Sequence, residues 1–498
     1  MPSDPRHDHT AGLSRRDLLR VGAVGGASLA FGLGRTDPAA AATAAVAVDP
    51  AQRFQTIRGW GTALSWGANA IGDWRDVDAR TEIVELLFDR ERGLGLDIAR
   101  YNIGATEHPD HAHMRLAASI PSFWPERPGE WDLRSDSAQR WVLEQAVSRS
   151  VRTVEGFVVS PHHWWTNSGC TAGAADAGDN LNPAHVDDFA DYITEVARIF
   201  DRRWDIPFHS LSPINEPSAP WWVLNGRQEG CHYSLPAQAR VLEAVSAHLE
   251  RKGLADRTHL QMPDEPGATA ALTAVQSYGD RVSTLGQVST HSYWGGDRAG
   301  LRDYVRDHDL ELWMSEWGTG GEAGYQPQHI SSALNLSRGL LTDLKVLQPD
   351  AWCIWNAIES VEANRDENVS WGIIHATYTP GQEDFYVAKQ YYGYANYVRF
   401  LRAGSIAIQI DDPNAFAAYD PKRHQLVVVY TERGTADREI ELDLSRFTPS
   451  TRPVRRYRTS STENLAKLRT ETVRDGRYRT TLGAESITTL VVPGVRPR

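Results

Sequence analysis

The chain has 498 residues, of which 41% are hydrophobic and 23% charged, and a formal net charge of −12. This composition is ordinary for a soluble globular protein, long enough for one large α/β domain and a smaller one, and no apolar run reaches the roughly 18 residues of a membrane span. The acidic excess lies in residues 46–397, whereas residues 398–498 are mildly basic, which argues against nucleic acid or another polyanion as ligand.

Residues 1–45 read as an export signal rather than part of the fold. Arg15-Arg16 precedes a weakly apolar, Gly/Ala-rich run from Val21 to Leu33, and Ala42-Thr43-Ala44 fits a small-x-small cleavage site. That order predicts a bacterial twin-arginine signal and a secreted, extracellular protein. A disordered basic tail is the plainer alternative. Of the three cysteines, Cys353 in "AWCIWN" reads as a buried free thiol. Cys170 and Cys231 lie in Gly-rich loop sequence, and the sequence leaves open whether they pair.

Eight β-rich runs then follow in order: "IRGWGTALS" (57–65), "GLDIARYNI" (95–103), "TVEGFVVSP" (153–161), "FHSLSPINEP" (208–217), "HLQMPDEP" (259–266), "QVSTHSYW" (287–294), "ELWMSEWG" (311–318) and "AWCIWN" (351–356). Between them stand helical patterns such as "VDDFADYITEVARIFDRRW" and "AQARVLEAVSAHLERKG", with apolar residues every three or four positions. Eight strands alternating with helices predict an α/β fold, a (β/α)8 TIM barrel over residues 46–396. An open doubly wound sheet is the alternative, but no GxGxxG follows an early strand. From residue 397 to 498 the pattern changes to short alternating strands separated by turns, predicting an appended antiparallel β-sandwich. All 17 tryptophans lie at or before Trp371, so the sandwich reads as structural support. The "VAVDPAQRFQ" segment before the barrel can add a strand to it.

Two glutamates close predicted strands, Glu216 in "SPINEP" and Glu316 in "WMSEWG". Working residues of a βα barrel collect at the C-terminal strand ends, so these two are expected to face one cleft. Paired carboxyl groups suit glycosidic bond cleavage, one protonating the leaving oxygen and the other attacking the anomeric carbon or activating water. Taken singly, Glu before Pro reads as a turn residue and Glu before Trp-Gly as a solvated loop charge. Their joint placement on the fourth and seventh strands favours the catalytic reading. Nine tryptophans fall at strand ends or in the loops after them, and flat aromatic faces pack on pyranose C–H faces. Trp60, Trp66, Trp164 and Trp355 are the candidate platforms, and Arg100, Asn102, Asn215, His291 and Tyr293 are candidate polar contacts. His162 and His163, adjacent on an extended segment, would point to opposite faces and not share an ion. No HExxH, Cys/His cluster or GxSxG elbow stands out, so no metal and no cofactor is expected.

The stretches "RGWGTALSWGANAIGDW", "SPHHWWTNSGC", "SPINEP", "WMSEWG" and "WNAIESVEANRDENVSWGIIH" together resemble glycoside hydrolase family 30, within it the endo-β-1,6-galactanase branch, over about residues 46–498. The resemblance implies a retaining glycosidase with Glu216 as acid/base and Glu316 as nucleophile. Its implied substrate is a neutral β-linked polysaccharide or oligosaccharide, in particular β-1,6-galactan, including arabinogalactan side chains. The protein is read as a monomer. Ser65, Gly67 and the His162-His163 pair depart from the family pattern beside the expected non-reducing-side subsite. The alternatives are action on β-1,6-glucan, xylan or short β-glycosides, endo or exo, or a catalytically inactive carbohydrate-binding protein.

Overall fold

The computed structural model describes residues 45–321 and 323–498. The expected export signal lies, apart from Ala45, outside the described residues.

Eight parallel strands form the barrel: β2 (Gly59–Ala63), β3 (Ile98–Asn102), β4 (Thr153–Phe157), β5 (Ser210–Ser212), β6 (His259–Leu260), β7 (Gln287–His291), β8 (Glu311–Trp317) and β9 (Ala351–Asn356). They are hydrogen-bonded in the order β6-β5-β4-β3-β2-β9-β8-β7. Parallel bridges Gln261–Gln287 and Glu265–Thr290 close the remaining gap. The eight runs legible in the sequence are these eight strands. β5 and β6 are shorter than their runs, because Pro213 and Pro263 follow and have no N–H to give to a ladder.

The two predicted helices form over Val186–Trp204 and Leu235–Arg251. The first buries Phe189, Ile193, Val196 and Phe200 on one face, with Asp187 and Asp188 in its first turn and Arg202 and Arg203 in its last, both favourable to the helix dipole. Tyr101, pointing outward from β3, meets Phe200 with ring centroids 4.6 Å apart. Strand alternation then sends Ile98, Arg100 and Asn102 into the barrel. Ile98, Trp313, Ala351 and Cys353 form a small apolar layer there, on which the polar layer of the site rests.

The remaining strands build two further sheets. β10 (Ile358–Ser360), β11 (Ile374–Ala376) and β12 (Phe385–Val387) make a small one that sequence periodicity did not reveal. β13 (Ile406–Ile410), β14 (Ala415–Asp420), β15 (Gln425–Glu432), β16 (Arg438–Asp443), β17 (Val454–Thr459), β18 (Ala466–Glu471), β19 (Arg477–Leu482) and β20 (Ser486–Pro493) make the other, together with β1 (Val46–Thr56). The N-terminal β1 inserts between β13 and β16, and its pairing with β16 is the one parallel contact in an otherwise antiparallel sheet. Val48, Leu426, Val428, Leu442, Tyr478 and Leu490 are among the residues packed in its interior.

The opposite side packs on the barrel through the Ile330–Thr342 and Lys389–Val398 helices. The Asn396 carbonyl accepts from Thr489 Oγ1 at 2.7 Å, and Asn396 Nδ2 donates to Thr459 Oγ1 at 2.6 Å. Phe416, Val427, Val429 and Val491 belong to the same hydrophobic core as the barrel helices. The tryptophan-free region is thus a continuous extension of the barrel's core.

Close packing accounts for the departure at Gly67. Ser65 adopts φ +36° where β2 turns into the Ser65–Gly72 helix. A Cβ on Gly67 would come within 2.4 Å of the Ile358 carbonyl oxygen, a backbone atom that cannot swing away. Gly67→Ala is therefore expected to lower unfolding stability by about 1–3 kcal/mol, the usual cost of overpacking. Urea denaturation checks this; an unchanged midpoint would show that β10 gives way freely.

Candidate active site

Arg100 is the base of the site. It has no solvent exposure, and its Nε and Nη2 donate to Glu155 Oε1 and Asp264 Oδ2, each at 2.6 Å. Its Nη1 donates to the Ser315 carbonyl at 3.1 Å and lies 3.6 Å from Glu316 Oε2. Burial alone would weaken the guanidinium's hold on its proton, but Asp264, Glu155 and Glu316 outweigh it and raise its pKa far above the ordinary value. Glu155 is held in turn by Ser210 Oγ and Gln287 Nε2, each at 2.9 Å, and Asp264 by the Ser315 hydroxyl.

Above this base sits His291, at the end of β7. Its Nδ1 is 3.0 Å from Glu216 Oε1, and its Nε2 is 3.4 Å from Asp264 and 3.8 Å from Glu316. Burial pulls an imidazole towards neutrality, yet Glu316, Asp264 and the hydrogen bonds to Asp264 and Glu216 raise this one to about 10. Burial likewise pushes Asp264 up, but Arg100 and His291 overcome it and hold the carboxyl well below its usual range. His291 is therefore an imidazolium at neutral pH, wedged between both glutamates.

Local backbone features aim the two glutamates. In β8, Trp313 and Ser315 share the barrel interior, so simple alternation would turn Glu316 outward. The register slips between Thr290–Met314 and His291–Glu316, and again before Trp317, and this bulge turns Glu316 inward. There Tyr293 Oη donates to its Oε1 at 2.9 Å. Glu216 has φ +46°, a left-handed conformation that is strained for a residue with a side chain. Hydrogen bonds hold it: its N–H donates to the Asp264 carbonyl at 2.9 Å, and its own carbonyl accepts from Ala219 N at 3.0 Å and Trp222 Nε1 at 2.8 Å. One carboxylate oxygen from each of Glu216 and Glu316 and a His291 ring nitrogen all lie within 4.8 Å of one another. The two expected glutamates meet.

The other sequence candidates divide. Arg100, Asn102, Asn215, His291 and Tyr293 lie at or beneath the same end of the barrel. Asn102 Oδ1, Asn215 Oδ1 and Glu216 Oε2 are buried and make no hydrogen bond within the protein, an arrangement suited to receiving ligand hydroxyls. Trp66 and Trp355 meet edge-to-face with centroids 5.4 Å apart, and Trp164 stacks on His162 at 4.5 Å. Trp60 does not belong with them. It points outward from β2, donates its indole N–H to the Leu401 carbonyl and packs edge-on against Tyr394. Its neighbours Gly59 and Gly61 occupy the inward positions, so strand alternation excludes Trp60 from the cleft.

Trp317 also turns away from the cleft, towards Trp352 and Gly339. The His162-His163 segment is not extended, since His163–Trp165 form a 3-10 turn. Buried among aromatic rings, His162 has its pKa pushed down to about 3. Cys170 and Cys231 are both free and do not pair.

Sequence reasoning missed four residues. Asp264 and Glu155 complete the Arg100 frame. Burial pushes Glu265 up to about 7, against hydrogen bonds from Ser218 and Gln238 and with the Glu216 charge adding to the rise; it holds the turn after Glu216 through Ser218 Oγ at 2.6 Å. Asn356 ends β9 with both side-chain polar atoms buried and unpaired. The available signal was "MPDEP", two acids at a strand end in the manner of "SPINEP". A cavity of about 860 Å³ lined by Arg58, His209, Leu312 and Asp350 lies at the opposite end of the barrel, remote from these groups.

A carboxylate pair on the fourth and seventh strands of a βα barrel, set over a buried cation, is the arrangement of a glycosidase. The family model for O-glycosyl hydrolase family 30 matches residues 43–295, and the chain belongs to that family. It is 27% identical over 437 residues to an endo-β-1,6-galactanase of Hypocrea rufa, covering 82% of this chain and 85% of that one. It is 22% identical over 524 residues to an exo-β-1,6-galactobiohydrolase of Bifidobacterium longum, covering 78% of this chain and 34% of that longer protein. Its fold matches the catalytic domain of the family 30 xylanase C from Talaromyces cellulolyticus with a TM-score of 0.71 at 18% identity, over 90% of this chain and all of that one.

The His291 charge carries a pH signature. Its folded pKa, about 10, stands above the ordinary histidine value of about 6.5. The stabilisation from its ion pairs is thus fully present below about pH 6.5 and lost as pH rises through about 10. The stability difference between wild type and His291→Gln, read by urea denaturation, is expected to shrink over that window. A difference constant up to about pH 10.5 would mean that His291 is neutral in the folded protein.

Proposed function

We propose that this glycosidase hydrolyses β-1,6-linked galactan internally, with retention of anomeric configuration, using Glu316 as nucleophile and Glu216 as acid/base. The observation that carries the mechanism is that one oxygen of Glu216 and one of Glu316 lie within 4.8 Å of each other. Retaining glycosidases place theirs about 5–5.5 Å apart, whereas inverting ones leave about 6.5–9.5 Å for a water. Arg100 and the His291 imidazolium stabilise Glu316 as an anion ready to attack. Glu216 Oε2, which has no protein partner, is the oxygen left to give its proton to the departing sugar. Galactan is supported by the two relatives, both enzymes of β-1,6-galactan by name, and internal cutting by the one covered over 85% of its length.

Glu216→Ala should lose about 10²–10⁴-fold on galactan but little on an aryl galactoside whose leaving group needs no proton. Glu316→Ala should be inactive on both. With added azide, the Glu216 variant should yield a β-galactosyl azide, because azide intercepts the glycosyl-enzyme. The Glu316 variant should yield the α-azide by single displacement. The opposite anomers would reverse the assignment.

On substrate choice, de-arabinosylated arabinogalactan should release a ladder of β-1,6-galacto-oligosaccharides, with β-1,6-glucan and xylan nearly untouched. The C4 hydroxyl distinguishes galactose from glucose, and a site built to bond one epimer leaves a buried group unpaired with the other. Comparable rates on β-1,6-glucan would overturn the galactan reading. A single product size from the first minutes would replace internal cutting with exo action.

A further inference from the structure

A second cluster of chemically competent side chains lies outside the carboxylate pair. The loop after β3 carries Glu107, His111 and His113, and the loop after β4 carries Cys170. Cys170 Sγ is 3.3 Å from Glu107 Oε2 and 3.5 Å from His113 Nε2, and those two atoms are 3.6 Å apart. His111 contributes the fourth group, with Nδ1 2.9 Å from Glu107 Oε1. One ligating atom from each residue lies within 4.8 Å of all the others.

The first three of those spacings match one face of a metal tetrahedron. Zinc holds N and O ligands at about 2.0–2.1 Å and S at about 2.3 Å; at tetrahedral angles, neighbouring ligand atoms then stand roughly 3.3–3.6 Å apart. The triangle of Cys170 Sγ, His113 Nε2 and Glu107 Oε2 already has these sides, whereas His111 meets the other Glu107 oxygen, so the ion draws the His111 ring onto the open face of that triangle. The tautomer of His113 fits as well. Its Nδ1 lies 2.5 Å from the Gly226 carbonyl, which only accepts, so Nδ1 carries the proton and Nε2 presents its lone pair to the cluster. A ligating histidine is ordinarily oriented by such a partner on its other nitrogen. Cys170 is fully buried while His111 is about 30% exposed, so the cluster has a closed floor and an open side for entry.

We propose that Glu107, His111, His113 and Cys170 form a structural zinc site. Thiolate, imidazole and carboxylate together suit zinc, and four protein ligands make the closed shell of a structural ion. Binding expels the Cys170 thiol proton to solvent. The ion ties the loop after β3 to the loop after β4, which Thr171 already joins by donating its N–H and Oγ1 to Glu107 Oε2 at 2.9 and 2.7 Å. The second loop also carries Trp164, so zinc fixes one wall beside the cleft without touching the reacting carboxylates. The four ligands sit 57 or more positions apart across Glu107/His113 and Cys170, which is why no contiguous motif announces them.

The test uses Co²⁺ and Zn²⁺ alone on full-length protein dialysed against chelator. Wild type should take up one equivalent of Co²⁺ with a thiolate-to-cobalt charge-transfer band. Zn²⁺ should displace it and raise the melting temperature. Cys170→Ser should lose the band. His113→Ala and the milder His111→Ala, checked as folded by circular dichroism, should weaken binding by more than the roughly 10–100-fold that loss of a supporting partner costs. Cobalt bound without a thiolate band would overturn the proposal. So would affinity unchanged in the Cys170 and His113 variants, which would place the ion elsewhere, at His209, His259 and Glu311 or at Glu216, His291 and Glu316. Absence of stoichiometric binding at micromolar metal would leave only a hydrogen-bonded contact between the two loops.

Discussion

The site depends on a guanidinium placed where water cannot reach it. Burying a lone ion costs several kcal/mol even after relaxation, so Arg100 is tolerable only because Glu155 and Asp264 each meet it at 2.6 Å. That requirement fixes the neighbouring polar residues. Ser210 and Gln287 hold Glu155, Ser315 holds Asp264, and Asp264 then supports His291. The three carboxylates Glu155, Asp264 and Glu316 surround two cations, so the layer keeps a residual negative charge beside the cleft even with Glu216 protonated. A developing oxocarbenium ion is favoured by such an environment, and it is preorganised before substrate arrives.

Two of the chain's left-handed residues stand where this charge frame meets the cleft. Glu216 and Asp264 both have positive φ, and they are joined directly by the hydrogen bond from Glu216 N to the Asp264 carbonyl. The Glu216 side chain is therefore positioned by the same segment that neutralises Arg100. Trp222, which caps the Glu216 carbonyl, packs so tightly that a Cβ on Gly230 would fall within 1.9 Å of its ring. The bulge in β8 performs the matching task for Glu316. Glu316 is held by an irregularity within its strand, and Glu216 by a left-handed residue in the turn after β5.

Much of this was legible in the sequence, and the limits have physical reasons. The eight strands and the pair of glutamates could be read because parallel barrel strands are short apolar runs with polar residues at one end. Trp60 was misplaced because proximity to a strand end does not reveal which face a residue takes; counting alternation from Gly61 would have turned it outward. Asp264 and Glu155 escaped notice because a buried ion-pair frame joins residues more than 50 positions apart. β10 to β12 were missed because three-residue strands are too short for periodicity to register. β18 alternates partly buried and exposed residues, so it has no apolar face to reveal it.

The most direct measurement is covalent trapping. A 2-deoxy-2-fluoro-β-galactoside with a good leaving group slows departure of the glycosyl-enzyme more than its formation. Intact mass followed by peptide mapping should find one fluorogalactosyl group, attached to Glu316 within the "LWMSEWG" segment. A label on Glu216, or turnover to the α-anomer as first product with no label at all, would contradict the account.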